Sequence, residues 1–428
     1  MSRSVAQCLG FGIAFGGSLA AGQTYALRAV TSGANAVQVL GGLSPDGTTI
    51  VGFGSTVLSS EAVPTFVFRW TQAGGFEFFS NASATPYAEA YGTSDNAQFT
   101  VGVVSAEPVG SGAAPLIAGR WDSVGTFTPI QGPADAPEAP RQAFAVTNDG
   151  TRAVGVVAVP DLGERAAIFP IDGPAEVLSV PGSEFGSRLS HVSADGNTVF
   201  GTFIGQQGAG TFRRVGTGPF QTLPVLAPDN QLLVRNINAA GTIAVGYTTD
   251  ASFLPAPFVW RESSNQIETL PLGDFLNGET FDTTPDGSRI VGYVTDGGEW
   301  YPALWQNGQV INLLQLLASN GVEILPEYPF FYFWQARAIS ADGTTITGSV
   351  YVSEGFVDYP ITWLATIPAL GTSCAADFNN DGQADFIDYL DFVGAYSQED
   401  PAADVDGNGQ VDFFDYLTFS VAFDEGCE

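Results

Sequence analysis

The apolar residues of this chain fall in short runs, rich in β-branched side chains and bounded by Gly, such as Thr49-Ile50-Val51 and Arg289-Ile290-Val291. Runs of that kind read as short buried strands. A polar phrase introduces each one. Ser44-Pro45-Asp46-Gly47 leads to Val51-Gly52, and a degenerate copy, Ser94-Asp95-Asn96-Ala97, leads to Val101-Gly102. Thr147-Asn148-Asp149-Gly150 with Val154-Gly155 follows, then Ser193-Ala194-Asp195-Gly196 with Phe200-Gly201. Asn238-Ala239-Ala240-Gly241 with Val245-Gly246, Thr284-Pro285-Asp286-Gly287 with Val291-Gly292, and Ser340-Ala341-Asp342-Gly343 with Thr347-Gly348 complete the set. Most copies are followed, at the end of a third run, by an aromatic: Trp70, Trp121, Phe169, Phe212, Trp260, Trp305 and Trp363. The period of about 45–55 residues is that of propeller blades and similar arrays.

Asp-Gly between two β-rich runs predicts a hairpin, with a type I′ turn and positive φ at both central residues. One small four-stranded sheet cannot bury both of its faces, so the copies must stack on one another. Seven copies predict a mainly β fold, a seven-bladed β-propeller over residues 23–368, with residues 24–40 supplying the strand that closes the ring. An open β-solenoid or stacked sandwiches are the alternative. The repeated Asp residues are expected to serve turn geometry and the recurrent aromatics to pack between sheets, rather than to bind calcium or sugar. The phrase resembles the HAF family of extracellular repeats, with its Ser-x-Asp-Gly turn, Val-Gly strand end and later Trp. That resemblance implies no activity.

After a short linker at residues 369–373 the pattern changes. Between Cys374 and Cys427 one motif occurs twice: Asp377, Asn379, Asp381, Gln383, Asp385 and Asp388, then Asp404, Asp406, Asn408, Gln410, Asp412 and Asp415. These are positions 1, 3, 5, 7, 9 and 12 of an EF-hand loop, with Gly382 and Gly409 at position 6. Calcium takes six to eight oxygens, so a short loop must fold back and aim alternate residues inward. Gln383 and Gln410 are expected to contribute backbone carbonyls, and Asp385 and Asp412 to act through water or to hold the loop. Two calcium ions are therefore expected. An apolar stretch after each loop predicts one short helix per copy. On the first, Phe386, Tyr389, Leu390, Phe392, Val393 and Tyr396 share a broad face, and Ile387 lies off it.

This duplicated loop-plus-helix tail, residues 374–428, resembles type I dockerin domains. The resemblance implies calcium ligands at the positions just named, other than Asp385 and Asp412. It also implies a pseudo-twofold helix pair that binds a protein partner, in cellulosomal systems a cohesin. The chain departs from it at loop positions 10 and 11, where Phe386-Ile387 and Phe413-Phe414 replace the small polar residues of many cellulosomal dockerins. A hydrophobic partner surface is expected there, met either by a cohesin-like protein or by the propeller of the same chain.

Charge narrows the partners. Forty-five acidic against 14 basic residues give a net charge of −31, the wrong sign for nucleic acid or an anionic membrane. Residues 1–22 read as a secretory signal: Arg3, then an uncharged apolar stretch, then small residues at Ala20 and Gly22. The expected location is extracellular or cell-surface, without membrane insertion. Loss of the signal removes Cys8 and leaves Cys374 and Cys427, expected to pair in an oxidising compartment.

Catalytic signals are sparse. His191 is the sole histidine, which excludes multi-histidine metal sites, and no Gly-rich phosphate loop opens a helix. Acidic residues such as Asp250, Glu262, Glu279 and Glu299 do not stand out as a carboxylate pair. The favoured function is a secreted, non-enzymatic binding or assembly protein, with a carbohydrate as a possible propeller ligand. The alternative is a polysaccharide-degrading enzyme carrying a dockerin-like tail.

Overall fold

The structure is a computed structural model describing residues 25–31, 35–56, 65–79, 87–105, 116–139, 141–227, 230–249, 254–326, 331–354, 357–368, 376–379, 384–398, 400–405 and 410–425. Twenty-eight strands form seven four-stranded antiparallel blades. A single parallel bridge, Thr65 to Tyr87, joins the first two into one eight-stranded sheet. The first strands of the blades are 35–43, 87–93, 141–146, 186–192, 231–237, 277–283 and 331–339, and each packs beside the first strands of its neighbours to ring a central channel. The ring closes as the repeat arithmetic requires. The strand Ala26–Val30 becomes the outer strand of blade 7, running from Ala26 opposite Thr366 to Val30 opposite Thr362.

All seven recurrent aromatics are buried, and they anchor the clusters between adjacent sheets. Arginines add to this seam. Arg120 and Arg289 donate to the carbonyls of Gly150 and Gly343 in the next blade, and Arg213 lies 5.4 Å over the Trp260 ring. A short helix, α1 (Leu313–Ser319), is capped by the Asn312 side chain and inserts Leu313 and Leu317 between blades 6 and 7.

The phrase turns differ from the expected type I′ geometry. Only the Gly has positive φ (Gly47 at 69°, Gly287 at 74°), while the Asp does not. Gly47 N–H donates to Ser44 O at 2.8 Å and Ser44 N–H to Thr49 O at 2.9 Å, so the loop is a tighter i to i+3 turn completed by one left-handed residue. The reason lies in the Asp side chain. Asp286 Oδ1 accepts from the Thr284 hydroxyl at 2.7 Å, from Ser288 N–H at 3.0 Å and from the Ser288 hydroxyl at 2.8 Å. That fold-back fixes Asp in right-handed backbone. Asp46, Asp149, Asp195 and Asp342 repeat it, and the donated hydrogen bonds hold Asp46 below the usual carboxylate range. In the degenerate second copy Ala97 occupies the left-handed position at φ 55°.

The tail forms α2 (Phe386–Tyr396) and α3 (Phe413–Glu425). They meet through Phe392 and Phe419, stacked at 4.0 Å in a cluster made of tail residues.

Candidate functional site

The Val-Gly pair of each phrase is not a strand end. The second strands run on past the glycine, as in 100–105, 152–159 and 289–295. What fixes the glycine is the neighbouring first strand. A Cβ on Gly102 would lie 2.0 Å from the Glu89 carbonyl oxygen, on Gly246 1.9 Å from that of Leu233, on Gly292 1.9 Å from that of Glu279, and on Gly348 1.8 Å from that of Gln335. The same approach recurs at Gly155 and Gly201. Each of these glycines pairs with the residue just before a register shift, where the first strand carries one extra residue. The extra residues are Tyr91, Phe144, Ser190, Arg235, Phe281 and Arg337, and all six line the channel. The glycine thus admits a β-bulge, and the bulge aims a variable side chain at the axis.

The resulting wall is unequal around a cavity of about 1250 Å³. On one side Tyr91 and Phe144 face each other with ring centroids 6.1 Å apart. On the other stand two arginines. The Arg235 guanidinium donates to Glu279 Oε2 from Nε at 3.1 Å and from Nη2 at 2.8 Å, and the Tyr293 hydroxyl donates to the other Glu279 oxygen at 3.2 Å. Arg337 lies 4.3 Å over the face of Phe281. Among the described residues it makes no ion pair, and its Nε is buried without a hydrogen-bond partner. Burial pushes its pKa down to about 10, which leaves it charged at neutral pH.

In blades 4, 5 and 6 the next residue of the first strand ties blades together. His191 Nε2 donates to Arg235 O at 2.9 Å, which makes Nδ1 the acceptor for the Ser190 hydroxyl at 2.9 Å. Burial, reinforced by the nearby Arg235 charge, pushes the imidazole down to about 4, so it is neutral. Asn236 Nδ2 donates to Asp282 Oδ1 at 3.0 Å, and Asp282 Oδ2 accepts Ile339 N–H at 2.9 Å. Burial, together with repulsion from Asp95, pushes Asp282 up to about 7. At one mouth the second turn residues link in series, Asn148 N–H to Ala194 O at 3.0 Å, Ala194 N–H to Ala239 O at 2.8 Å and Ala341 N–H to Pro45 O at 2.8 Å.

Of the acidic residues singled out from the sequence, Glu279 sits in this network, Glu262 pairs with Arg213, and Glu299 is exposed. Asp250 lies outside the described residues. Sequence reasoning missed the six bulge residues. Each stands at a fixed place, three residues before the first residue of its turn phrase and eleven before its glycine, but the six share no residue type that would have marked them.

In the tail, Asp385 and Asp412 are helix N-caps: Asp385 accepts Ile387 N–H at 2.7 Å and Asp412 accepts Phe414 N–H at 2.8 Å. Position 9 therefore holds the loop. Asp388 and Asp415 are wholly buried. Asp388 accepts Asn379 N–H and Asp385 N–H, both at 2.9 Å, and Asp415 accepts Asp412 N–H at 2.7 Å. Asp377, Asn379, Asp404 and Gln410 are described, whereas Asp381, Gln383, Asp406, Asn408, Cys374 and Cys427 lie outside the described residues. Among the described residues no three metal-ligating side chains cluster. Two carboxylates removed from water in a segment with no Lys or Arg do fit a hard cation held by oxygens. Phe386, Ile387, Phe413 and Phe414 are 65%, 52%, 64% and 62% exposed. The broad face expected on α2 divides: Tyr389, Phe392, Val393 and Tyr396 turn inward, while Phe386 and Leu390 join Ile387 outside.

No known family and no curated protein matches the sequence. Among solved structures, an oligogalacturonate lyase in complex with manganese is 11% identical over 81% of this chain and 97% of its own, with a TM-score of 0.51. The oligogalacturonate lyase of Vibrio parahaemolyticus is 10% identical over 80% and 93%, with a TM-score of 0.50. TolB from Acinetobacter baumannii matches 64% of this chain and 61% of its own length at a TM-score of 0.38. Likeness at these identities is one of fold alone: the chain is a seven-bladed β-propeller followed by two short helices.

Proposed function

We propose that the protein is an exported, calcium-binding docking protein without enzymatic activity. In this reading the HAF-like propeller presents its channel to a ligand, and the dockerin-like tail binds a protein partner. The observation that carries it is the pair of buried carboxylates, Asp388 and Asp415, in a tail that has no cationic side chain to neutralise them. Asp377, Asn379, Asp381, Gln383 and Asp388 would hold one ion, and Asp404, Asp406, Asn408, Gln410 and Asp415 the other. Bound calcium supplies the positive charge that the sequence lacks. The caps at Asp385 and Asp412 then fix where each helix starts, and so where Phe386-Ile387 and Phe413-Phe414 project. The partner is a cohesin-like protein or the propeller of the same chain.

Calorimetry of the full chain tests the metal. Calcium at a thousandfold excess over its Kd should stabilise the tail by about 4 kcal/mol for each ion bound, and Asp388→Ala with Asp415→Ala should abolish the shift. Equal tail stability in excess chelator would refute the reading. Thiol titration of exported protein checks the Cys374–Cys427 pairing, where two reactive thiols would count against it.

A second reading, a polysaccharide-degrading enzyme, is favoured by one observation: Asp282 lines the channel, where burial pushes its carboxyl up to about 7. Its oxygens already accept three hydrogen bonds, however, and hold blades 5, 6 and 7 together. His191, the sole histidine, is engaged at both nitrogens, so the channel offers no imidazole for a transition metal. Release of reducing ends from a polysaccharide panel by the purified chain would decide for the enzyme.

A further inference from the structure

We propose that the channel wall built by the first strands of blades 5, 6 and 7 binds an acidic oligosaccharide, with Arg337 taking a sugar carboxylate and the aromatic series that runs from Phe281 beneath it through Tyr293 and Trp300 to Phe333 taking a ring face. The inference goes beyond the docking reading and does not rest on the tail.

Charge is the first argument. All 14 basic residues of this acidic chain are arginines, and in the described structure most serve as staples between blades. Arg337 is not used that way. Its neighbour Arg235 holds Glu279 directly, and Tyr293 takes the other Glu279 oxygen, so Arg337 feels that carboxylate only at longer range and two guanidiniums share one negative charge. A guanidinium laid on an aromatic face with its edge turned to a cavity is preorganised for a planar anion such as a carboxylate.

The second argument is local strain. Phe333, on the same strand as Arg337, has φ 55°, a conformation that costs a bulky L-residue about 1–2 kcal/mol. That cost is not offset by burial, since the ring is 41% exposed. It stands edge-on to Trp300 at 5.1 Å, and Trp300 stacks on Tyr293 at 4.2 Å. Four residues of strand separate Phe333 from Arg337, about 13 Å, which exceeds one sugar ring. Aromatic faces more than one ring away from a cation suit an oligomer whose successive sugars carry both C–H faces and carboxylates. A peptide fits less well, because the bulges at Arg235, Phe281 and Arg337 interrupt every strand edge with which an extended backbone would pair.

The test is calorimetric titration of the full chain with trisaccharides of galacturonate, mannuronate and glucuronate, each beside its methyl ester. At least one acid should bind, at least tenfold more tightly than its ester. Arg337→Gln should reduce the acid to the affinity of the ester, Arg337→Lys should retain part of the preference, and Phe333→Ala should weaken acid and ester alike. Thermal melts of each variant establish that it is folded, and the Lys variant keeps the test decisive if the Gln variant is not. No binding by any acid, equal binding of acid and ester, an Arg337→Gln variant that binds like the wild type, or binding of polyaspartate in place of uronates would each overturn the proposal. Because binding is read rather than cleavage, failure here leaves the tail reading standing, and failure of the tail reading leaves this one.

Discussion

Replacing Gly348 with Ala tests the account of the repeated glycine. The new methyl carbon would sit 1.8 Å from the Gln335 carbonyl oxygen, 2.5 Å from Trp363 Cζ2 and 2.8 Å from Trp363 Cε2. Ordinary carbon–oxygen contact is about 3.3 Å or more, so roughly 1.5 Å must be found. Neither neighbour can give it. The carbonyl is main chain beside a bulge, and Trp363 is fully buried between sheets. The other escape is loss of the bulge, which would slip the strand by one residue and turn every side chain beyond it to the opposite face. That would expose Ile339 and break its N–H bond to Asp282. Overpacking alone costs about 1–3 kcal/mol, so a loss of about 3 kcal/mol or more is expected. For a body of this size, with roughly 2 cal/mol/K of unfolding entropy per residue, that lowers the propeller Tm by about 4 °C or more. The control is Gly308→Ala, at φ 69° with nothing near the new carbon, where only left-handed strain of about 1 kcal/mol applies. Scanning calorimetry on both variants, with Gly102→Ala as a second test in another blade, gives the comparison. If Gly348→Ala costs no more than Gly308→Ala, the carbonyl approach is not what selects glycine.

Asp286→Ala and Asp342→Ala should each cost about 1 kcal/mol by loss of the turn hydrogen bonds, equally with and without calcium; a calcium-dependent loss in chemical denaturation would instead make these residues metal ligands. Gly394→Ala, in α2 with nothing within 4 Å of the added methyl, should stabilise the tail by about 0.5–1 kcal/mol, read as a higher melting temperature of the tail transition. The two buried channel groups should give opposite pH slopes. Asp282 is moved from 3.8 up to about 7, so the native state holds a proton the unfolded chain has released, and its contribution to stability falls as pH rises across that interval. His191 is moved from 6.5 down to about 4, so the unfolded chain holds the extra proton and its contribution rises over that range. Denaturation midpoints should therefore climb with pH from about 4 to 6.5 in Asp282→Asn and fall from about 4 to 7 in His191→Gln, with the wild type flatter than either; parallel profiles for all three would refute the assignment.

Periodicity carried most of the fold because a propeller repeats its own hydrogen-bonding scheme. The seven phrases, the buried aromatics and the closing strand at Ala26–Val30 were all legible for that reason. The turn type was not. Asp-Gly suggests two left-handed residues, whereas the Ser or Thr two positions before the Asp, and the donor two positions after it, favour a right-handed Asp whose carboxylate closes the turn. The channel was invisible for a different reason. Tyr91, Phe144, Ser190, Arg235, Phe281 and Arg337 share a place but no chemistry, so no repeat search groups them. On α2, helical spacing put Leu390 on one broad face with Tyr389, Phe392, Val393 and Tyr396, but what packs on that helix, α3 together with Phe378 and Ala403, covers only part of the face.

The same device explains how a nearly symmetric scaffold acquires an asymmetric site. In blades 2 to 7 the glycine and the bulge are main-chain features, fixed by an approach of about 2 Å that any side chain on the glycine would block. The bulged residue takes no part in that constraint, so its identity is free to vary without disturbing the ladder. Blades 2 and 3 use the freedom for an aromatic pair, whereas blades 5 and 7 use it for arginines, one neutralised and one not. The following position is divided in the same way, small at Gly92, Ala145 and Ala338 but polar at His191, Asn236 and Asp282, where side chains cross from blade to blade. The polar half therefore stiffens the wall that carries Arg235 and Arg337, and the arginine that makes no ion pair among the described residues stands on the most cross-linked part of the ring. Stiffness and uncompensated charge in one place are what a preorganised anion site requires.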